Sequence, residues 1–126
     1  MTTNARILRV TLAGLLLALA GCGPDTADPV YQRCVTEQKT YCNRLFVCLK
    51  LGPIIGIKVN YEDESKCKTE ETKKCDKVST ANSCPGGGNT KYDSAKHDQC
   101  IADQGNQSCA VFANRPSSCS TYCSTN

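Results

Sequence analysis

Apolar residues fall along this chain in two different rhythms. Over residues 10–20 they run almost continuously, interrupted only by Thr11 and Gly14. After Asp25 they recur at intervals of three and four. The first run is about a dozen residues, short of the ~20 that a bilayer-crossing helix requires. It follows Arg6 and Arg9 with no acidic residue before Asp25, and it closes on the small residues Ala20 and Gly21. A positive start, an apolar middle and a small-residue cleavage site form an export signal. Residues 1–21 are read as that signal, and 30–126 as a separate domain.

The second rhythm predicts helices. Pro29 suits a first helical turn, and Cys34, Gln38, Tyr41, Cys42, Leu45, Cys48 and Leu49 then share one face, which gives a helix over Pro29–Leu49. Arg33, Glu37, Lys39 and Arg44 are assigned to its solvent side, and Gly52-Pro53 stops it. Residues 51–59 are apolar and β-branched, too short and too broken by Gly52 and Gly56 for an amphipathic helix. They read as an extended loop whose Ile54, Ile55 and Ile57 either cap a small core or form an exposed patch that binds a ligand. A second helix is expected over 61–80, capped by Asn60, with Glu62, Asp63 and Glu64 favoured at its start by the helix dipole. Its apolar face is little more than Cys67, Cys75 and Val78, so its attachment must be covalent. A third helix, capped by Asp93 or Ser94, runs to about Gln104 with Cys100 and Ile101 inward, and Gly105 interrupts it. A short fourth is expected over 107–114, carrying Cys109, Val111 and Phe112, before a Ser-rich tail with Cys119 and Cys123.

Composition changes this picture in one respect. The whole chain has eleven Cys, no Trp and two Phe. Removing residues 1–21 leaves 105, too poor in apolar side chains to offset the entropy of ordering unaided. Disulfides supply what is missing, at about 2–4 kcal/mol each, and place the chain in an oxidising compartment. Zinc is disfavoured, because the exported part has only His97 and no C-x₂-C pair. The expected fold is therefore mainly α, a small disulfide-stapled domain of three to four helices. Fifteen basic residues less Arg6 and Arg9 leave thirteen against twelve acidic ones, with no basic run, which argues against a nucleic-acid partner.

Pairing of the ten cysteines Cys34, Cys42, Cys48, Cys67, Cys75, Cys84, Cys100, Cys109, Cys119 and Cys123 stays open. Cys34 and Cys42 are eight apart, as are Cys67 and Cys75. Such pairs are offset by about 80° and 12 Å on a helix. Antiparallel helices match Cys34–Cys75 with Cys42–Cys67, which the spacing favours. They also match Cys48–Cys67 with Cys42–Cys75, which the shorter closing loop favours, and the balance tips slightly to this second register.

Leu19-Ala20-Gly21-Cys22 resembles the bacterial lipobox, in which the cysteine becomes the first residue after diacylglyceryl transfer and cleavage. Eleven cysteines are odd, and setting Cys22 aside leaves an even ten. Residues 22–29 then form a lipidated cysteine and a tether rich in Gly, Pro and Asp. By that resemblance the covalent diacylglycerol and N-acyl chain at Cys22 replace any cofactor, and Gly23 in place of Asp directs the protein to the outer membrane. With Cys42-x₅-Cys48, Cys67-x₇-Cys75, Cys100, Cys109 and Cys119 added, the chain resembles the small cysteine-rich lipoproteins of myxobacteria and related predatory bacteria. That resemblance implies outer-membrane attachment, a helical disulfide-bonded body and no known catalytic activity; Cys34 and Cys123 are additional to it.

Catalytic constellations are sparse. His97, flanked by Lys96 and Asp98, reads as a surface histidine rather than a general base. No C-x-x-C supports thiol–disulfide exchange, and Pro85-Gly86-Gly87-Gly88 lacks the Lys-Ser/Thr ending of a phosphate loop. Asp25 and Asp28 fit a solvated spacer better than calcium ligands. The function expected is a non-enzymatic envelope lipoprotein, held at the membrane by lipid and contacting an envelope or extracellular protein. The alternative is a ligand-binding or inhibitory module using the 51–59 loop, and redox chemistry at a labile C-terminal disulfide ranks last.

Overall fold

The computed structural model describes residues 23–54, 56–84 and 90–125. Cys22, the whole signal segment and Ile55 lie outside the described residues. Helix α1 spans Pro29–Leu49, as the sequence pattern predicts. Asp28 caps it: one carboxylate oxygen accepts from the Val30 and Tyr31 amides at 2.7 and 3.2 Å. The other accepts from the Thr80 amide at 2.8 Å. That Thr80 bond leads the causes holding the Asp28 carboxyl below its usual range; burial opposes it, and the α1 amides of Val30 and Tyr31 add to the lowering. The same side chain thus starts the helix and fastens a distant turn to it. At the other end Gly52 and Gly56 take φ of 137° and 85°, where a Cβ is strained, and they turn the chain back over the helix.

Helix α2 is shorter than expected, Glu64–Thr72, and continues as a 3₁₀ turn over Lys73–Lys77. Its cap is Asp63, which accepts from the Lys66 amide at 2.7 Å, and not Asn60. Tyr61, expected in the first turn, stays outside the helix and packs against the core beside Val59. Helix α3, Ser94–Asn106, is capped by Asp93 and runs through Gly105 without a break. Gly105 is there for proximity: a Cβ at that position would sit 3.3 Å from Thr40 Cγ2 of α1. The expected fourth helix is only a 3₁₀ turn over Cys109–Val111. The Gln107 side chain donates to the carbonyls of Val111 and Asn114 and ends it there. An antiparallel strand pair was not expected: β1, Thr90–Tyr92, pairs with β2, Cys123–Thr125, in the register Tyr92 opposite Cys123.

Helix α1 is the axis of the domain, and both α2 and α3 pack against it. Its buried stripe is Val30, Glu37, Cys42, Leu45 and Cys48. The central cluster contains Cys42, Leu45, Cys48, Cys67 and Phe112. Two side chains of that cluster are not cysteine, so the disulfides serve as core as well as cross-links. Around it pack Tyr41, Phe46, Leu49, Ile54, Ile57, Val59 and Tyr61.

The ten downstream cysteines form five bridges: Cys34–Cys75, Cys42–Cys67, Cys48–Cys109, Cys84–Cys123 and Cys100–Cys119. The α1–α2 register is thus the one that equal spacing favours, and the one preferred for its shorter loop is wrong. The reason lies in the 51–59 segment. Ile54, Ile57 and Val59 are themselves core residues and need the length between Cys42 and Cys67 to fold back over Leu45 and Cys48. Moving α2 down to Cys48 would take the space they fill and the site where Cys109 arrives. Among the described residues, no helix is long and apolar enough to cross a membrane.

Candidate functional site

Two residues that the sequence pattern places on the surface, Glu37 and His97, are buried and meet between α1 and α3. Glu37 keeps 4% of its surface and His97 3%. The pairing follows from register: Glu37 stands between Cys34 and Tyr41 on the inward stripe of α1, and His97 is one turn before Cys100 on the inward face of α3. His97 Nε2 lies 2.9 Å from Glu37 Oε2, and Nδ1 lies 2.8 Å from the Tyr92 hydroxyl. Arg115 Nη2 donates to Glu37 Oε1 at 2.6 Å and to the Tyr122 hydroxyl at 3.2 Å. Tyr122 stacks on the imidazole, with centroids 4.2 Å apart and 13° between the planes. Strands β1 and β2 exist to make this lid, since Tyr92 ends one and Tyr122 precedes the other, and the Asp93 amide donates to the Tyr122 carbonyl at 2.8 Å.

Electrostatics follow from these contacts. Burial pushes the Glu37 carboxyl up, but hydrogen bonds from His97 and Arg115, with the charges behind them, outweigh it and hold the group below its usual range. Burial raises the Tyr92 phenol, which the Arg33 charge only partly offsets. A raised phenol is a poor nucleophile. Both nitrogens of His97 are committed, so the ring has no free position from which to take a proton from a substrate. Cys100 Sγ also lies 3.7 Å from Glu37 Oε1. Glu37, Cys100 and Cys119 bring ligand-type atoms within 4.8 Å of one another. The two sulfurs are bonded to each other and supply no thiolate for a metal.

A second buried carboxylate, Glu71 of α2, faces the first across a cleft. It accepts from the Tyr61 hydroxyl and pairs with Lys74. The Glu71 hydrogen bond, helped by burial, pushes the Tyr61 phenol up to about 12. The cleft between Glu37 and Glu71 has a volume of about 300 Å³, and Tyr41, Gln104, Phe112, Lys74 and Arg115 line it. Tyr41 and Phe112 stack with centroids 5.5 Å apart. A second cavity of about 180 Å³ lies against His97 and Tyr92, and Glu37, Gln38, Lys74 and Arg115 line both. Gln104 is buried at the first cleft, and its Oε1 has no hydrogen-bond partner among the described residues.

Of the 51–59 binding candidates, Ile54 and Ile57 pack against the core, half-buried, while Leu51 keeps 79% of its surface. Sequence reasoning missed the polar cluster because it treated charge as a marker of surface. The signal available was positional, a Glu on the stripe of cysteines and a His and a Gln spaced three and four residues either side of Cys100. Compared with protein-family models, with curated proteins and with solved structures, the chain gives no match.

Proposed function

We propose that the protein is a non-enzymatic cell-envelope lipoprotein, held at the outer membrane by lipid on Cys22, whose helical body makes structural or protein contacts at the membrane surface. The observation that carries this reading is a count. The chain has eleven cysteines, and ten of them pair among themselves. Cys22 has no cysteine left to bridge within the chain, and it closes a sequence that resembles a lipobox. Two or more acyl chains there anchor a protein stably, where one alone binds marginally. The closed hydrogen bonding of His97 supports a presenting surface over a reacting one.

Intact mass of the protein extracted from membranes, before and after alkylation without reductant, tests the proposal. The expected species starts at Cys22, carries lipid mass and gains no alkyl group; a lipid-free chain overturns it. A second reading, a ligand-binding or inhibitory module acting through the 51–59 loop, draws on the exposure of Leu51. It requires that Leu51→Asp abolish capture of a partner while leaving the fold intact.

A further inference from the structure

The cleft between Glu37 and Glu71 is unevenly exposed. Its carboxylates are buried, Glu37 at 4% and Glu71 at 5%. The cations that pair with them are not: the Arg115 and Lys74 side chains keep 55% and 65% of their surface. An approaching ligand therefore meets the cations, while the carboxylates hold them in place from below. Arg115 uses Nη2 on Glu37 and Tyr122, and Lys74 uses its ammonium on Glu71. A guanidinium has five N–H donors and an ammonium three, so donors remain for an anion. The aromatic pair Tyr41–Phe112 offers an apolar wall beside them. Gln104 adds the opposite requirement. Its Oε1 is buried with no donor among the described residues, and such an oxygen is stabilised when a donor arrives. A ligand that reaches it must turn this oxygen toward the cleft about the terminal amide torsion, which is soft.

A ligand that answers all three features carries a carboxylate, an N–H beside it and an apolar side chain. Inorganic phosphate supplies the anion and a donor but leaves the aromatic wall uncovered, and a simple amine leaves the cations without an anion. We propose that this cleft binds the carboxylate end of an amino acid or peptide bearing an apolar side chain, with Arg115 and Lys74 on the carboxylate, Gln104 on the adjacent N–H and Tyr41–Phe112 against the side chain. A volume of about 300 Å³ accommodates one such residue, at the lower end of small-molecule sites. The inference is independent of the lipid anchor and fails or stands whatever is attached to Cys22.

The test is calorimetric titration of the oxidised protein, as isolated, with N-acetyl-L-phenylalanine, free L-phenylalanine and N-acetyl-L-phenylalaninamide. At least one of the two carboxylates binds, and the amide, lacking the charge, binds at least about tenfold more weakly. Binding of the acetylated acid points to a peptide carboxyl terminus, and binding of the free amino acid alone points to the metabolite. Gln104→Leu weakens binding about tenfold while leaving the thermal midpoint unchanged or higher, since it deletes an unpartnered buried oxygen. Lys74→Gln weakens the acids and not the amide. Equal affinity for acid and amide, unchanged affinity in Gln104→Leu, or no heat with either acid at millimolar concentration overturns the assignment.

Discussion

Replacing Glu37 by Gln probes the buried cluster with a change of two atoms. The carboxylate accepts twice, from His97 through Oε2 and from Arg115 through Oε1. An amide offers one acceptor and one donor, so an N–H must point at another N–H. If the amide oxygen keeps His97, Arg115 turns to water, and the loss is that of a half-exposed ion pair, about 0.2–1 kcal/mol. The amide N–H₂ is then buried without an acceptor, which costs about 1–3 kcal/mol. Together these give a destabilisation of about 2 kcal/mol, or ~10 °C in melting temperature for a domain of this size. Guanidinium unfolding with the disulfides intact measures it. Acidity supplies the control. The Glu37 carboxyl is held below its ordinary value of 4.5 in the folded state. Its contribution is fully present above that value and is lost as pH falls through the folded pKa. The gap between wild type and Glu37→Gln therefore closes in strong acid. Equal stability at neutral pH, or a gap that persists unchanged in acid, refutes the idea that an ionised carboxylate organises the cluster.

Two further outcomes are expected. Gly105→Leu forces a side chain into the α1–α3 contact at Thr40 and destabilises the domain by about 1–3 kcal/mol; denaturant midpoints of variant and wild type check it, and a neutral result means the helices part without cost. Graded reduction followed by alkylation and peptide mapping opens Cys84–Cys123, whose residues are both partly exposed, before Cys42–Cys67, whose residues are both fully buried. The reverse order contradicts the view that burial sets the sequence of opening.

How far the sequence could be read depended on whether local pattern and tertiary demand agreed. In α1 they agree: Pro29, a cap, a stripe at three and four, and a glycine stop all point the same way. In α2 they conflict, because the pattern assigns Tyr61 to the helix while the core requires it, and packing overrides propensity there. Gly105 shows a similar conflict. Glycine inside a helix weakens it, and only the neighbouring helix at Thr40 explains its presence. The bridges Cys48–Cys109 and Cys84–Cys123 and the β1–β2 pair link distant segments, and nothing within either partner announces the other. The cluster of Glu37, His97 and Arg115 was hidden for a related reason, since each residue is polar alone and buried only in the company of the others.

Taken as a graph, the five bridges have a property that none of them has alone. The span closed by Cys34–Cys75 is crossed by Cys48–Cys109, and that one in turn is crossed by Cys84–Cys123. No peptide bond between Cys34 and Cys123 lies outside at least one of these loops. A protease that nicks the chain once anywhere in that span separates no fragment; both halves remain covalently attached, and the nick shows only after reduction. A body of this kind persists among hydrolytic enzymes even when its surface loops are cut.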